Sequence, residues 1–151
     1  MQVSKEFRSR MVGLGQCYGG IPRDIADLVA WRPFANNPWN LVEAAENGND
    51  FERAALATNP GIANSHKALK MLAADRSETV RIALARNQMI DGEPEILWVL
   101  ANDRSDAVRV AVADNRGMRL YPAITMSLEA DPNPYVRGGL RGNLKRYSIV
   151  A

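Results

Sequence analysis

Cysteine and histidine are almost absent from this sequence, which contains one of each, Cys17 and His66. A single cysteine excludes an internal disulfide and any metal cluster held by several thiolates of one chain. A single histidine excludes every metal site that needs two imidazole ligands. No histidine lies near Cys17 in the sequence, so this thiol lacks a common activating partner. We therefore expect neither a catalytic centre nor a bound cofactor, and the lone cysteine fits a reducing compartment.

Long apolar runs and an excess of one charge are also missing. No apolar run approaches the ~20 residues of a membrane span, and the start, MQVSKEFRSRMV, lacks the apolar core of a signal peptide. The net charge of +2 comes from 19 basic and 17 acidic residues, so overall charge neither favours nor excludes a nucleic-acid partner. A chain of 151 residues with 46% hydrophobic residues is typical of one globular domain. We expect a cytoplasmic protein without membrane contact.

An internal repeat is the strongest feature that the sequence does contain. Three segments align without gaps at a spacing of 28 residues: LAADRSETVRIALARN from Leu72, LANDRSDAVRVAVADN from Leu100 and LEADPNPYVRGGLRGN from Leu128. A weaker copy, AAENGNDFERAALATN, begins at Ala44, and a degenerate one, PFANNP, surrounds Asn37. A fixed period of this length predicts supersecondary units that stack on one another.

Each column of the alignment holds one kind of side chain. An acid or amide column contains Asn47, Asp75, Asp103 and Asp131. An arginine column contains Arg53, Arg81, Arg109 and Arg137. An apolar column contains Leu56, Leu84, Val112 and Leu140, next to a column of very small residues, Ala55, Ala83, Ala111 and Gly139. Every copy closes with an asparagine, at Asn59, Asn87, Asn115 and Asn143.

Helix-capping residues precede the arginine column in every copy, at Asn49, Ser77, Ser105 and Asn133. The next position holds residue types favoured in a first helical turn, Asp50, Glu78, Asp106 and Pro134. These two columns predict that the second helix of each unit begins there. Val80 and Leu84 are four residues apart and would share one face of such a helix.

The closing asparagine is expected to end this helix, because asparagine tolerates the left-handed backbone conformation. Pro60, directly after Asn59, would prevent the helix from continuing. Another helix is expected to begin near Pro94 and Pro122, which share a column and suit the first helical position. His66 occupies that column one unit earlier, so we interpret it as a polar residue at a helix start.

The string Asp-x4-Val-Arg, followed by a small apolar run, resembles the second helix of HEAT repeats. The closing asparagine and the short unit resemble leucine-rich-repeat-variant (LRV) proteins, which alternate α- and 3₁₀-helices. The resemblance covers roughly residues 31–146. It implies an all-α, right-handed α-solenoid of about five two-helix repeats over residues 31–151, capped by residues 1–30. The N-terminal iron–sulfur domain of some LRV proteins cannot be carried over, because only Cys17 is present.

The resemblance also implies a ladder in which each aspartate and arginine pair within or between units, formed by Asp75, Arg81, Asp103, Arg109, Asp131 and Arg137. Catalytic groups occur once, whereas these residues recur in every unit, so we interpret them as structural. The glycine-rich stretch 13–20 has neither a Walker lysine nor the G-x-G-x-x-G spacing, and we interpret it as a flexible connection. Trp98 lies in the apolar run ILWVLA and is expected in the core.

The C-terminal end, residues 128–151, is expected to be the main contact surface. The chain stops where a further helix would begin, which would leave an apolar face exposed. This face would contain Leu128, Val136, Leu140 and Leu144, with a basic rim of Arg137, Arg141, Lys145 and Arg146. It would bind another protein or a second copy of the chain. The alternative is that residues 147–151 fold back as a lid.

Basic residues are concentrated in the last third, at Arg116, Arg119, Arg137, Arg141, Lys145 and Arg146. They are either solvated turn charges or an anion site, for which nucleic acid is one ligand. The leading hypothesis is a non-catalytic protein-binding scaffold, because stacked helix pairs present an extended surface. The first alternative is nucleic-acid binding through the basic third. The second is an enzyme similar to the HEAT-like-repeat alkylpurine DNA glycosylases, which are larger and whose motif residues have no match here.

Overall fold

The computed structural model describes residues 38–148. The proposed cap (residues 1–30), Cys17, Trp31, Asn37 and residues 149–151 lie outside this range. Residues 38–148 form eight α-helices and three 3₁₀-helices and contain no strand, so the all-α class is confirmed for this part of the chain. None of these helices is long and apolar enough to cross a bilayer.

The helices alternate in a regular order along the chain. The first helix of each pair is α1 (Pro38–Asn47), α3 (His66–Ala73), α5 (Pro94–Ala101) or α7 (Pro122–Glu129). The second helix is α2 (Asp50–Thr58), α4 (Glu78–Arg86), α6 (Asp106–Ala113) or α8 (Pro134–Tyr147). A 3₁₀-helix follows each of the first three pairs: η1 (Pro60–Asn64), η2 (Gln88–Gly92) and η3 (Arg116–Leu120).

The second helices begin where the capping columns predict, at Asp50, Glu78, Asp106 and Pro134. Three of the four capping side chains accept a hydrogen bond from a backbone N–H of the first turn, and only Ser77 does not. The backbone N–H of Ser77 donates to Asp75 Oδ1 at 2.8 Å. Asp103 and Asp131 accept the same bond from Ser105 and Asn133. The aspartates therefore shape the turns that precede α4, α6 and α8, in addition to any role in ion pairing.

Equivalent helices of successive pairs pack against each other. Contacts join α1 to α3, α3 to α5 and α5 to α7 in one layer, and α2 to α4, α4 to α6 and α6 to α8 in a second layer. The 3₁₀-helices form a third row, in which η1 contacts η2 and η2 contacts η3. The apolar column lies between the layers and is fully buried at Leu56, Leu84, Val112 and Leu140. No pair could bury this column without its neighbours.

The closing asparagines do not adopt the expected left-handed conformation. Asn59, Asn87 and Asn115 have φ near −70° (−67°, −71° and −70°) and an extended ψ. Their Oδ1 atoms accept a hydrogen bond from the backbone N–H two residues later, which starts the 3₁₀-helix. Asn143 does not close a unit, because α8 continues past it to Tyr147. The prediction of left-handed helix ends was therefore wrong.

The same asparagines connect successive units through their amide groups. The Asn115 Nδ2 donates to the carbonyl oxygens of Ala85, at 3.0 Å, and Asn87, at 3.4 Å. Asn87 and Asn143 each donate in the same way to two carbonyls that lie 30 and 28 residues earlier. All three side chains are buried, so water cannot replace these bonds at low cost. We call this row the asparagine ladder; its first member, Asn59, has no Nδ2 partner among the described residues.

This difference between Asn59 and Asn115 allows a matched test of the ladder. Aspartate keeps the acceptor oxygen but replaces the amide donor with a second acceptor. Asn115→Asp would place that acceptor against two carbonyl oxygens, whereas Asn59→Asp removes a donor without a described partner. We expect Asn115→Asp to lower the free energy of unfolding by about 2 kcal/mol more than Asn59→Asp, measured by urea denaturation. Equal losses would show that the amide bonds between units contribute nothing to stability.

Candidate functional site

The arginine and aspartate columns form ion pairs between neighbouring units. The Nε atoms of Arg53, Arg81 and Arg109 lie 2.6, 2.6 and 2.7 Å from Oδ2 of Asp75, Asp103 and Asp131. The Nη2 of each arginine also contacts the other carboxylate oxygen, at 3.1, 3.2 and 3.3 Å. Each aspartate therefore pairs with the arginine of the preceding unit through a two-point contact. We call this row the arginine–aspartate ladder.

The ladder is shielded from solvent. The side chains of Arg81 and Asp103 are 5% and 7% exposed. Hydrogen bonds to the paired aspartates raise the pKa values of Arg53, Arg81 and Arg109, against the opposing effect of burial. Burial is the largest single influence on the pKa of Asp131 and acts to raise it. Hydrogen bonds from Arg109 and from the backbone of Asn133, together with the positive charges of Arg109 and Arg137, outweigh the effect of burial. The pKa of Asp131 is therefore lowered.

Arg137 departs from the ladder that the columns predict. Its Nη1 donates to the backbone carbonyls of Asp131, at 2.5 Å, and Pro132, at 3.0 Å. No carboxylate among the described residues lies within ion-pair distance of it. The expectation that every arginine of the column contacts a carboxylate is therefore wrong for Arg137.

The predicted anion site is divided by the fold. Arg116 Nε lies 2.6 Å from Asp91 Oδ2, and this hydrogen bond raises the pKa of Arg116. The Arg119 guanidinium stacks over the ring of Tyr147, 5.8 Å from its centroid. Only three of the predicted cations stand exposed together on α8, with no partner within ion-pair distance among residues 38–148: Arg141, Lys145 and Arg146.

The apolar contact surface expected at the C-terminal end does not form from the residues predicted for it. Leu128, Val136 and Leu140 are fully buried, and Leu144 is partly buried against the core. Helix α8 contacts both α6 and α7, so its apolar side is already covered within the described structure. The prediction that Leu140 contacts a partner is therefore wrong.

A cluster of exposed apolar side chains instead lies where α5, the end of η3 and α7 meet. Trp98 on α5 is 46% exposed and Val99 is 49% exposed, while Leu120 at the end of η3 is 56% exposed. Together with residues 121–124 they border an open groove of about 570 Å³ between α5 and α7. The expectation that Trp98 belongs to the core was wrong, because Ile96, Leu97 and Leu100 occupy the buried face of α5.

The groove is almost entirely apolar. Its lining residues are Pro94, Glu95, Trp98, Val99, Leu120, Tyr121, Pro122, Ala123 and Ile124. Glu95 is the one charged residue among them. The Tyr121 hydroxyl donates a hydrogen bond to the Asp91 carbonyl at 2.6 Å, so its proton is not available to a ligand. We call this feature the α5–α7 groove.

The repeat columns contain the signal that would have located this groove. Trp98 lies 28 residues after Lys70 and 28 before Met126, and both of these side chains are exposed. Lysine is almost never fully buried, so a lysine in this column indicates that Trp98 lies on the surface as well. His66 fits its expected position at the start of α3, where its Nδ1 lies 3.2 Å from Glu93 Oε2.

We predict that Arg109→Ala destabilises the chain by about 3 kcal/mol, because it leaves the buried Asp131 carboxylate without its ion pair. Adding Asp131→Ala to this variant should restore part of the loss, giving a positive coupling in a double-mutant cycle followed by urea denaturation. Arg104→Ala, at an exposed arginine outside the ladder, is the control. If Arg109→Ala melts like the parent protein, the ladder does not stabilise the fold.

The lowered pKa of Asp131 also predicts a dependence of stability on pH. The stabilising contribution of its carboxylate is present above the unfolded-state pKa of about 3.9 and is lost as pH falls through the lower folded-state value. Asp131→Asn should therefore be less stable than the parent at pH 7, with a difference that shrinks below about pH 4. Thermal melts across this range measure it, with Glu129→Gln on the exposed end of α7 as the control. A difference independent of pH would contradict the prediction.

Comparison with known proteins does not connect the chain to a family. No family model, curated protein or solved structure matches it.

Proposed function

We propose that this chain is a non-catalytic protein-binding module, built as a right-handed α-solenoid of HEAT-like or LRV-like repeats. The continuous contacts between equivalent helices support the solenoid. The 3₁₀-helix after each of the first three pairs supports the LRV-like character. The lone cysteine is compatible with a place in the reducing cytoplasm.

The α5–α7 groove is the observation that carries the binding role. Large apolar side chains such as Trp98 and Leu120 are costly to leave in water, and concentrated exposure of this kind usually marks a contact surface. Partly exposed tryptophans are also among the residues that contribute most to protein interfaces. The two ladders, by contrast, occupy their polar groups in contacts between units and offer no reactive group to a substrate.

Site-specific photocrosslinking tests this proposal. A photoreactive phenylalanine analogue placed at position 98 should form a defined adduct with one protein in cells that express the chain. The same analogue at Phe51, an exposed apolar position on α2 away from the groove, should not form that adduct. Excess unlabelled parent protein should suppress the adduct, whereas the Trp98→Ser variant should not. Equal labelling from positions 98 and 51 would contradict binding through the groove.

Nucleic-acid binding through α8 is the second candidate. Residues 132–147 contain four basic residues and no acid, and Arg141, Lys145 and Arg146 are exposed. Phosphate contacts release counterions, so affinity would fall steeply with salt. We would expect an oligonucleotide to bind the parent protein at low salt, and an Arg141→Ala/Lys145→Ala/Arg146→Ala variant to lose this binding. An Arg76→Ala/Arg104→Ala variant, which removes two exposed arginines elsewhere, is the control; equal losses would indicate only nonspecific charge attraction.

A further inference from the structure

We infer that the occupant of the α5–α7 groove is an amphipathic helix of a partner protein that places a lysine or arginine beside Glu95. This inference rests on the proposed protein-binding function and adds the shape and charge of the partner segment.

The chemistry of the groove walls favours a helix over an extended segment. Both walls are α-helices, whose main-chain hydrogen bonds are made within each helix, and the lining is nearly all apolar. An extended peptide would bring unpaired N–H and C=O groups against this surface, where few groups could pair with them. A helix satisfies its own main chain and presents only side chains.

The dimensions of the groove suit a short helix. The walls α5 and α7 are eight residues each, which corresponds to about 12 Å of helix length. A docked helix would therefore contact the groove over about two turns, through apolar residues spaced three, four and seven positions apart.

The charge at the groove rim favours a basic residue on the partner helix. Glu95 lies in the first turn of α5, and its side chain is 71% exposed. Its nearest basic neighbours are on α3, where Lys70 Nζ lies 3.4 Å and His66 Nε2 lies 3.6 Å from Glu95 Oε2. Glu93 is the next acid and pairs with His66. No basic residue lines the groove. A lysine or arginine of a partner could therefore reach Glu95 from the α7 side, where its carboxylate has no basic neighbour among the lining residues.

A second copy of the chain does not supply such a helix from its described residues. Helix α8 is the one with a concentration of basic residues, but its Val136 and Leu140 are buried against the core. The exposed side of α8 therefore combines cations with Tyr135 and glycines, and it lacks the apolar stripe that the groove would require.

Two matched peptides test the inference. The first is a fluorescein-labelled helical peptide of about 14 residues, or four turns, with a leucine stripe and lysine as its charged residue. The second replaces every lysine with glutamate. We expect the lysine peptide to bind the parent protein about tenfold more tightly than the glutamate peptide, since rim charges select between partners. Fluorescence anisotropy measures both affinities.

The variants separate the charge of the partner from the use of the groove. Glu95→Lys should reverse the preference between the peptides, whereas Glu43→Lys, the same charge change at an exposed position on α1, should not. Lys70→Ala should strengthen binding of the lysine peptide, because it removes the competing cation. Trp98→Ser should weaken both peptides about tenfold or more, and Phe51→Ser should leave both affinities unchanged.

Each contrary result identifies what failed. If Trp98→Ser weakens both peptides but Glu95→Lys leaves their order unchanged, the groove binds protein but the basic partner is wrong. Tighter binding of an extended proline-rich peptide at the same groove would overturn the helical partner. Concentration-dependent dimerisation of the parent protein that Trp98→Ser abolishes would identify a second copy as the occupant. If Trp98→Ser leaves binding unchanged, the groove is not the binding site, and the proposed function is contradicted as well.

Discussion

The register of 28 residues between buried polar groups is the constraint on which the described structure depends. Each Asp131-type carboxylate is paired with an arginine of the preceding unit, and each Asn115-type amide spans two carbonyls of the preceding unit. Both groups are buried, so a shift of one unit against the next would leave charges and donors without partners. Apolar packing between helices is less demanding, because leucine and alanine columns can slide with a smaller penalty. The apolar column therefore drives the helices to pack against each other, and the ladders fix the register in which they pack.

This division of roles explains why the candidate binding surface lies on the first helices. The arginine–aspartate ladder runs along the turns that precede the second helices, and the asparagine ladder runs along the 3₁₀ row. The outer face of α5 and α7 takes part in neither ladder. Trp98 and Leu120 can change without breaking either ladder, and their exposed side chains are available to a partner. In repeat architectures, variation of this kind on one face is how binding surfaces differ between units.

Several features of the fold could be predicted from single columns. The capping residues at Asn49 and Asn133 and the prolines at Pro94 and Pro122 located the helix starts, because capping and proline preferences act within one turn. The role of the asparagine column was only partly foreseeable. Its position at the end of the unit was evident at Asn59, Asn87 and Asn115, but the amide bond to the previous unit depends on a neighbour about 28 residues away.

The sequence by itself determined the all-α class of the described residues and the helix starts, because these follow from local preferences repeated at one period. The resemblance implied an arginine–aspartate ladder, but only the tertiary structure decided that each aspartate pairs with the arginine of the preceding unit and that Arg137 binds backbone carbonyls. Only the tertiary structure decided which apolar side chains are buried and which are exposed. Leu140 was predicted at a surface, yet α6 and α7 bury it; Trp98 was predicted in the core, yet the opposite face of α5 is the buried one. It also decided that Arg116 and Arg119 are engaged by Asp91 and Tyr147 instead of joining a basic cluster. Burial and charge pairing are properties of the packed neighbours, and a column of residue types does not specify which neighbour lies against it.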